Sequence, residues 1–374
     1  MSFYLVTGAT GFLGRELLAR MLKRGLPMAV TTRRKEDEAP EAAAERFKAI
    51  IAETNPDVSF AGTEVLFADV SEPNLGLDPA LLDRLEQGGE PIHIVHGAAE
   101  VRFDLPREVM EKQNVVGTEN ILALARRFAD RGKLHRLDYV STTYVAGTRT
   151  DLAKETEIDV GQGSRNEYER SKKLAELAVD RERKRGLPVT VHRPSIIVGD
   201  SRTGKASSFK VLYWPLKLYA RGQWKLVFGR PDCPMDVVPV DFVADAMMHL
   251  MFEPKAIGRT FHLAAGPERQ STIGELVLMA ERFFDRGRIR YVDPDLYMKY
   301  LRPFIRPLIQ SVRPGVAEKG GVFLPYLKSN PSFAVSETSA LLGPAGLVPP
   351  RVADYFGTIM RYAKETDFGR TVGV

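Results

Sequence analysis

Residues 1–14 read MSFYLVTGATGFLG, and this stretch decides the fold that we expect for the rest of the chain. Phe3 to Val6 form a short apolar run that predicts one buried strand. Glycines follow at positions 8, 11 and 14, and apolar residues at helical spacing begin directly after them. A strand, a glycine turn and a helix start in this order are typical of a dinucleotide site. The alternative is a glycine-rich turn without a ligand, and the clean strand and helix on either side argue against it.

The three glycines have separate expected roles in such a turn. Gly8 would allow the tight bend, Gly11 would let the backbone approach a pyrophosphate, and Gly14 would let the helix lie close to the strand. The pyrophosphate would then rest on free N–H groups at the positive end of the helix dipole.

The composition limits the class of protein. With 374 residues and a hydrophobic fraction of 44%, the chain has ample material for one large domain or two modest ones. The net charge of +5 is spread without a long basic run, which favours an anionic ligand and argues against nucleic acid. Cys233 is the single cysteine, so neither an internal disulfide nor a cysteine-rich metal site is expected. Because we find no signal peptide and no apolar run of ~20 residues, we expect a cytoplasmic setting.

Strand and helix patterns alternate as far as Gly199, which predicts an α/β fold with a doubly wound parallel sheet, right-handed crossovers and helices on both faces. The pattern loosens after that residue. We therefore expect a Rossmann-type dinucleotide-binding domain in residues 1–200 and 236–266, and a smaller, mostly helical substrate-binding region in residues 201–235 and 267–374. The expected strands are Phe3–Val6, Pro27–Thr32, Thr63–Phe67, Pro91–His96, Leu137–Val140, Pro188–Arg193 and Thr260–Ala264; the expected helices include residues 38–53, 77–85, 106–130 and 166–185.

Helix starts are also suggested in the later part of the chain. Asp241 is expected near the N-cap of a helix within residues 236–252, and Ser271 or Thr272 is expected to cap a helix that ends near Phe284.

The end of the second strand suggests which nicotinamide nucleotide is bound. NAD sites usually carry an acidic residue there, whereas this chain has Arg33 and Arg34. Two guanidinium groups suit a 2′-phosphate, which they can bind through paired hydrogen bonds, so NADPH is favoured over NADH. The alternative is a solvated basic turn.

Other residues at strand ends are candidates for cofactor contacts. Asp69 follows the third strand and could bind an adenine amino group or cap a helix. Gly97, Ala98 and Ala99 are small enough to lie close to a flat cofactor. His96 is better explained by packing or a local hydrogen bond than by catalysis.

Hydroxyl groups and a Tyr–Lys pair supply the candidate catalytic residues. Ser141, Thr142 and Thr143 follow the fifth strand, at the edge where parallel sheets bind ligands. Tyr168 and Lys172 lie four residues apart in a predicted helix, so both project from one face. The alternatives are hydroxyls that satisfy loop backbone and a solvated surface pair.

These features together resemble the extended short-chain dehydrogenase/reductase superfamily over roughly residues 1 to 270. Within it, the chain is most similar to the thioester reductase and fatty acyl reductase group with a male-sterility-type NAD-binding region. The matching segments are TGATGFLG at 7–14, HGAAEVRFDLP at 96–106, NVVGTENIL at 114–122, YVSTTYVAG at 139–147 and HRPSIIVGDSRTG at 192–204.

The resemblance implies hydride transfer from NADPH to a carbonyl group. It places Thr142, rather than Ser141, with Tyr168 and Lys172 in the catalytic set. Cofactor contacts are expected from Thr7, Gly8, Thr10, Gly11, Phe12, Leu13, Gly14, Arg33, Arg34, Asp69, Val70, Gly97, Ala98, Ala99, Asn114, Tyr168, Lys172, Pro194, Ser195 and Ile197, and no metal is expected.

The residues suggest how such a reaction would proceed. Tyr168 would donate to an oxygen that gains negative charge, and the nearby Lys172 ammonium would lower the tyrosine pKa from about 10. Lys172 would also bind the ribose hydroxyls, and Thr142 would be a second donor, as in an oxyanion hole. Reduction of a thioester would give a hemithioacetal that releases thiol and an aldehyde, which a second NADPH could reduce to an alcohol.

The expected substrate is an acyl thioester of CoA or of an acyl carrier protein, with a place in lipid metabolism, reduced by a stand-alone enzyme. The aromatic-rich residues 207–228 and the basic, apolar residues 297–314 could line an acyl tunnel, and the latter could instead contact a membrane surface. The aromatic residues could equally be the core of a small second domain. Alternative functions are an NADP-dependent ketone or alcohol oxidoreductase, an NAD-retaining sugar-nucleotide epimerase or dehydratase, and a dinucleotide sensor without activity.

Overall fold

Seven parallel strands form the central sheet of the protein in this computed structural model, which describes residues 2–223, 225–296, 299 and 323–370. Their order across the sheet is β3-β2-β1-β4-β5-β6-β7, in a parallel register in which Val6 pairs with both Val30 and Val95. The doubly wound sheet predicted from the sequence is confirmed, and the fold is Rossmann-like. The strands are β1 (Phe3–Thr7), β2 (Met28–Thr32), β3 (Thr63–Phe67), β4 (Ile92–His96), β5 (Leu134–Val140), β6 (Val189–Pro194) and β7 (Thr260–Leu263).

Helices cover both faces of this sheet, so its strands are buried on two sides, as parallel strands usually are. Side chains of α1, α2 and α7 form the apolar core on one face, and side chains of α3, α4 and α5 form it on the other. The helices are α1 (Phe12–Lys23), α2 (Pro40–Ala52), α3 (Pro79–Gln87), α4 (Gly117–Asp130), α5 (Glu167–Lys184), α6 (Tyr213–Ala220), α7 (Val240–Phe252), α8 (Ile273–Phe284), α9 (Ser336–Leu342) and α10 (Val352–Glu365).

A third apolar core lies beyond the sheet and joins α6, α8 and α10. Tyr213 and Tyr219, from the aromatic-rich segment, are buried in it, so these two rings belong to a core. Trp224 and, apart from Lys299, the basic segment 297–314 lie outside the described residues. Short paired strands occur at Leu152–Ala153 with Ser332–Phe333, Ile196–Val198 with Val237–Pro239, Leu226–Phe228 with Arg290–Val292, and Pro234–Met235 with Ser271–Thr272.

The long helix predicted over residues 106–130 is divided into three parts. A short α-helix at Arg107–Met110 leads into a π-helical segment at Glu111–Val116, and α4 follows. Asn114 lies in the π-helical segment, where its side-chain amide reaches the backbone of Glu100. A helical pattern in the sequence does not distinguish this wider geometry from a regular α-helix.

The two predicted helix starts have different outcomes. Thr272 caps α8 in a capping box with Glu275, as predicted. Asp241 lies in the first turn of α7, two residues after the N-cap Pro239, so it is near the N-cap as predicted, but its side chain does not cap the helix. The Asp241 carboxylate instead accepts hydrogen bonds from the backbone N–H and hydroxyl of Ser201, at 2.9 and 2.6 Å.

None of the helices within the described residues combines the length and apolar character needed to cross a membrane.

The strand order reverses between β1 and β4, and this reversal determines where a ligand can enter. A crevice forms beyond the carboxyl ends of such strands because the chain leaves them toward opposite faces. The glycine turn after β1, residues 97–99 after β4 and residues 141–143 after β5 all lie at this edge.

Gly14 should tolerate no side chain, because a Cβ there would lie 2.1 Å from the carbonyl oxygen of Gly8. We expect Gly14→Ala to lower the free energy of unfolding by roughly 1–3 kcal/mol, the usual cost of overpacking. Gly357→Ala is the matched control, since Gly357 is also helical and its nearest neighbour, Arg361 Nη1, is 3.5 Å away. That control should raise the free energy by about 0.5–1 kcal/mol. Urea unfolding measures both, and equal stabilities would contradict the close contact.

Candidate active site

The glycine turn between β1 and α1 leaves an open position for an anion. Gly8 adopts a left-handed φ of 77°, and a Cβ there would lie 2.3 Å from the carbonyl carbon of Gly97. The N–H of Gly11 donates to the Gly8 carbonyl over 3.0 Å and closes the turn. Helix α1 then begins without a side-chain cap and without an acidic residue in its first turn. The N–H groups of residues 12–14 therefore keep the donor capacity that phosphates use.

Thr7 ties the glycine turn to the end of β4 from inside the protein. Its hydroxyl is hydrogen-bonded to His96 Nδ1 at 2.8 Å and accepts the N–H of Ala98 at 3.3 Å. The other ring nitrogen of His96 faces the Thr118 hydroxyl at 3.4 Å. Burial lowers the pKa of His96 to about 3, and Lys172 adds to the effect, so the ring is neutral. The local hydrogen bond expected for His96 is confirmed.

Two unpaired guanidinium groups lie beyond the end of β2. Arg33 and Arg34 are exposed, and neither side chain has a hydrogen-bond or ion-pair partner in the described part of the chain. Asp69, beyond the end of β3, accepts the N–H and hydroxyl of Ser71 at 2.8 Å each. Burial opposes ionisation of Asp69, but the bonds from Ser71 and the charge of Arg33 lower its pKa overall. Arg33 is therefore close enough to Asp69 for their charges to interact at this edge.

The helix-cap alternative for Asp69 is wrong, because its carboxylate closes a turn with Ser71 and the next helical turn begins after Glu72. The adenine contact stays a prediction.

Lys172 is the buried charge at the centre of the site. Its side chain lies on the inner face of α5, and Lys172 is only 3% exposed. The ammonium donates to the Tyr139 hydroxyl at 3.0 Å and to the Val140 carbonyl at 2.9 Å. Burial lowers the pKa of Lys172 to about 8, and the negative charge of Glu176 opposes that shift. The lysine is therefore held by β5 and by its own helix.

Tyr168 lies one helical turn before Lys172, and the Thr142 hydroxyl is near enough to its phenol to influence the pKa of Tyr168. Burial raises the pKa of Tyr168 to about 12, and the neighbouring Thr142 hydroxyl only partly offsets the rise. The expected lowering of this pKa by Lys172 is therefore wrong for this geometry. Lys172 is not among the groups that shift the pKa of Tyr168, and its ammonium donates instead to the Tyr139 hydroxyl and the Val140 carbonyl.

Ser141 and Thr142 are adjacent but make different contacts. The Ser141 hydroxyl donates to Glu176, and that carboxylate forms a fully buried ion pair with Arg193. Thr142 accepts the N–H of Tyr144 at 3.2 Å and has only a long contact, 3.4 Å, to the Pro194 carbonyl. The Ser141 hydroxyl is thus already used in a buried hydrogen bond, whereas Thr142 lies beside Tyr168. This geometry favours Thr142 over Ser141 as the hydroxyl that meets a substrate.

Asn114 has all the partners that a buried amide needs. Its oxygen accepts the N–H of Glu100 at 2.8 Å, and its amide nitrogen donates to the Glu100 carbonyl and the Ser171 hydroxyl, each at 2.9 Å. A direct bond from this amide to a cofactor would break one of these contacts. Asn114 therefore connects the loop after β4 to α5 through hydrogen bonds. No N–H of its side chain is left to donate to the cofactor contact that was predicted from the sequence.

The remaining predicted cofactor residues lie along the same edge. Phe12 packs against the third core and Leu13 against the core of the α1 face. The Thr10 carbonyl accepts Arg15 Nε at 3.0 Å, and Val70 is buried against the other face. Ser195, which directly follows Pro194, is buried and donates its N–H to the Leu263 carbonyl at 3.2 Å. Ile197 is partly exposed and lies in a short strand.

Three residues of this site were missed by sequence reasoning: Tyr139, Glu176 and Arg193. Glu176 follows Lys172 by four residues, so helical spacing alone could have placed it on the same face. Tyr139 and Arg193 point inward from β5 and β6, and no local pattern shows that a strand residue will contact a charge on a neighbouring helix.

The neutral His96 should make stability depend on pH. The unfolded chain binds a proton near pH 6.5, whereas folded His96 binds one only near pH 3, so the folded state loses stability as the pH falls below 6.5. Between pH 7 and 5 we expect this residue to cost about 2 kcal/mol. Urea unfolding of the His96→Asn variant and of the unchanged protein at several pH values isolates the contribution of His96, because the other histidines are present in both proteins. Equal pH dependence of the two proteins would contradict the buried neutral ring.

Comparison with known proteins shows which family the chain belongs to. An NAD-binding family model described as male sterility protein matches residues 6–247. The carboxylic acid reductase of Segniliparus rugosus is 33% identical over 282 residues, which cover 66% of this chain and 22% of that protein. The chain spans between 5% and 31% of the length of this and two other curated relatives.

Two solved structures share the whole fold. The terminal R domain from the myxalamid PKS-NRPS biosynthetic pathway superimposes with a TM-score of 0.80 at 27% identity, covering 99% of this chain and 92% of that one. A thiolation-reductase di-domain from an archaeal non-ribosomal peptide synthetase gives a TM-score of 0.73 at 19% identity, covering 98% and 76%.

Proposed function

The chain belongs to the NAD-binding family described as male sterility protein, an oxidoreductase family of the extended short-chain dehydrogenase/reductase kind, and on that premise we propose that it is an NADPH-dependent reductase of acyl thioesters. The observation that carries the proposal is the group formed by Tyr168, Thr142 and the buried Lys172. This group lies at the edge of the sheet where the glycine turn opens.

The residues at this edge fit a nicotinamide dinucleotide. The uncapped start of α1 suits the pyrophosphate, and the close approach at Gly8 and Gly14 leaves the turn free of side chains. Lys172 has three N–H donors, two of which are used within the protein, so one remains for a ribose hydroxyl. When bound, the reduced nicotinamide supplies a hydride.

Tyr168 and Thr142 would bind the thioester carbonyl oxygen. A tyrosine pKa of about 12 keeps the phenol protonated, so it can donate a hydrogen bond and then a proton as charge develops on that oxygen. Thr142 would give the second hydrogen bond, as in an oxyanion hole. Addition of hydride to the carbonyl carbon gives a hemithioacetal, and its collapse breaks the C–S bond to release a thiol and an aldehyde.

The proposed substrate carries its acyl group on a phosphopantetheine thiol, of a carrier protein or of CoA. The relatives support this choice, because one is named a carboxylic acid reductase and a structural neighbour joins a thiolation unit to a reductase. A carrier-protein thioester is the preferred form.

The reaction is tested by following NADPH absorbance with a set of acyl-CoA and acyl-phosphopantetheinyl carrier thioesters while free thiol is measured. We expect one thiol for each thioester reduced. NADPH consumption on ketones without thiol release would favour an alcohol oxidoreductase, and conversion of a sugar nucleotide with no net NADPH consumption would favour an epimerase.

Tyr168→Phe should lower turnover by about 10²–10⁴-fold, the usual contribution of a positioned acid, and leave NADPH affinity within about twofold. Tyr362→Phe is the matched control, because that tyrosine lies in α10, where its ring stacks on Phe209, and the change should alter neither quantity. Steady-state rates and NADPH fluorescence titration measure them. Full turnover in Tyr168→Phe would remove this residue from the mechanism.

Arg33 and Arg34 are proposed to bind the 2′-phosphate, because they are exposed and unpaired at the end of β2. Each charged hydrogen bond contributes about 1.5–3 kcal/mol, so Arg33→Ala with Arg34→Ala should weaken NADPH binding by more than about tenfold and NADH binding by less than about twofold. Arg84→Ala is the control, since Arg84 pairs on the surface with Glu64. An equal loss for both nucleotides would overturn the assignment.

A further inference from the structure

A tyrosine from the C-terminal part of the chain lies against the start of the helix that carries Tyr168. Tyr326 belongs to a helical stretch at 323–328 and is 6% exposed. Its hydroxyl donates to Glu169 Oε1 at 2.6 Å and accepts a hydrogen bond from Asn166 Nδ2 at 2.7 Å. A side chain more than 150 residues away is thus bonded to both ends of the first turn of α5.

The same two residues hold the start of α5 in place. Asn166 is the N-cap, and its side-chain oxygen accepts the N–H of Glu169 at 2.9 Å. The Glu169 carboxylate also accepts the backbone N–H of Arg165 at 2.7 Å and pairs with its guanidinium at 3.2 Å. The N–H groups in the first turn of a helix have no partners within the helix, so this turn unfolds locally more easily than the middle of the helix. Side-chain contacts such as these keep it folded. Tyr168 is the second residue of this turn, so its position depends on them.

Contacts between rings connect the two tyrosines on a second side. The Phe103 ring is 5.3 Å from that of Tyr168 and 5.7 Å from that of Tyr326, and it stacks on Tyr326 with 20° between the planes. The Arg165 guanidinium covers the Tyr326 ring at 5.0 Å and donates to the Ser329 carbonyl at 3.0 Å. The 323–329 segment is therefore attached to the Tyr168 turn through hydrogen bonds, an ion pair and stacked rings.

We propose that Tyr326 is a positioning residue, which holds the first turn of α5 closed so that the Tyr168 hydroxyl stays beside Thr142. This inference rests on the proposed function in that it takes Tyr168 as the proton donor. It assigns the task to the Tyr326 hydroxyl, because this hydroxyl bonds the side chains of both Glu169 and Asn166, while the Tyr326 ring packs with Phe103.

Tyr144 provides a matched control within the same aromatic group. Its ring meets that of Tyr326 edge-on at 5.4 Å, and it is similarly buried at 7% exposure. Its hydroxyl has no hydrogen-bond partner within the described residues. Tyr144→Phe therefore removes a buried hydroxyl from the same group of rings without touching the α5 cap.

The test compares Tyr326→Phe and Tyr144→Phe by hydrogen–deuterium exchange of the amides of residues 167–172 and by steady-state kinetics. We expect Tyr326→Phe to speed exchange in this turn by about tenfold or more, the effect of losing one hydrogen bond to a charged group. Turnover should fall by about tenfold at an unchanged NADPH affinity. Tyr144→Phe should change none of these quantities by more than about twofold.

Several outcomes would overturn the inference. Unchanged exchange in Tyr326→Phe, or equal effects in the two variants, would do so. Faster exchange with full turnover in Tyr326→Phe would also contradict it. Lost turnover with unchanged exchange in that variant would point instead to direct contact between Tyr326 and the substrate. The exchange measurement needs no substrate, so it separates this inference from the proposed function. If the unchanged protein reduces no thioester, the proposed function fails, and exchange alone decides whether Tyr326 closes the turn.

Discussion

The ammonium group of Lys172 is buried at the carboxyl end of strand β5, and the arrangement of the site depends on how that charge is accommodated. Removing an ammonium from water costs several kcal/mol unless nearby dipoles and charges replace the lost hydration. The Tyr139 hydroxyl and the Val140 carbonyl accept two of its hydrogen bonds, and the Glu176 carboxylate favours its charged form. Strand β5 and helix α5 are therefore fixed relative to one another where Thr142 and Tyr168 meet.

The sequence was sufficient to predict the features that depend on local pattern. The strand, glycine turn and helix at residues 1–14, the parallel sheet and a cap at Ser271 or Thr272 all follow from periodicity and residue type, and each is found, with Thr272 as the cap. The helical spacing of Tyr168 and Lys172 also placed them on one face of α5. These predictions succeed because each feature is specified by residues close together in the chain.

Features that depend on distant contacts could not be predicted in the same way. The π-helical geometry at Asn114 is accompanied by bonds to Glu100 and Ser171, and the high pKa of Tyr168 follows from burial that no short segment reveals. Tyr326 meets the start of α5 across more than 150 residues. Sequence spacing carries no information on such contacts, whereas the folded backbone brings them within hydrogen-bond distance.

The most direct test of the account follows the fate of the hydride. An acyl-phosphopantetheinyl thioester is reduced with NADPH deuterated in turn at each C4 position, and the aldehyde is trapped as a hydrazone for mass spectrometry while free thiol is counted. The account predicts one deuterium on the aldehyde carbon from a single C4 position and one thiol for each hydride transferred. An aldehyde without deuterium, or NADPH oxidation that releases no thiol, would contradict it.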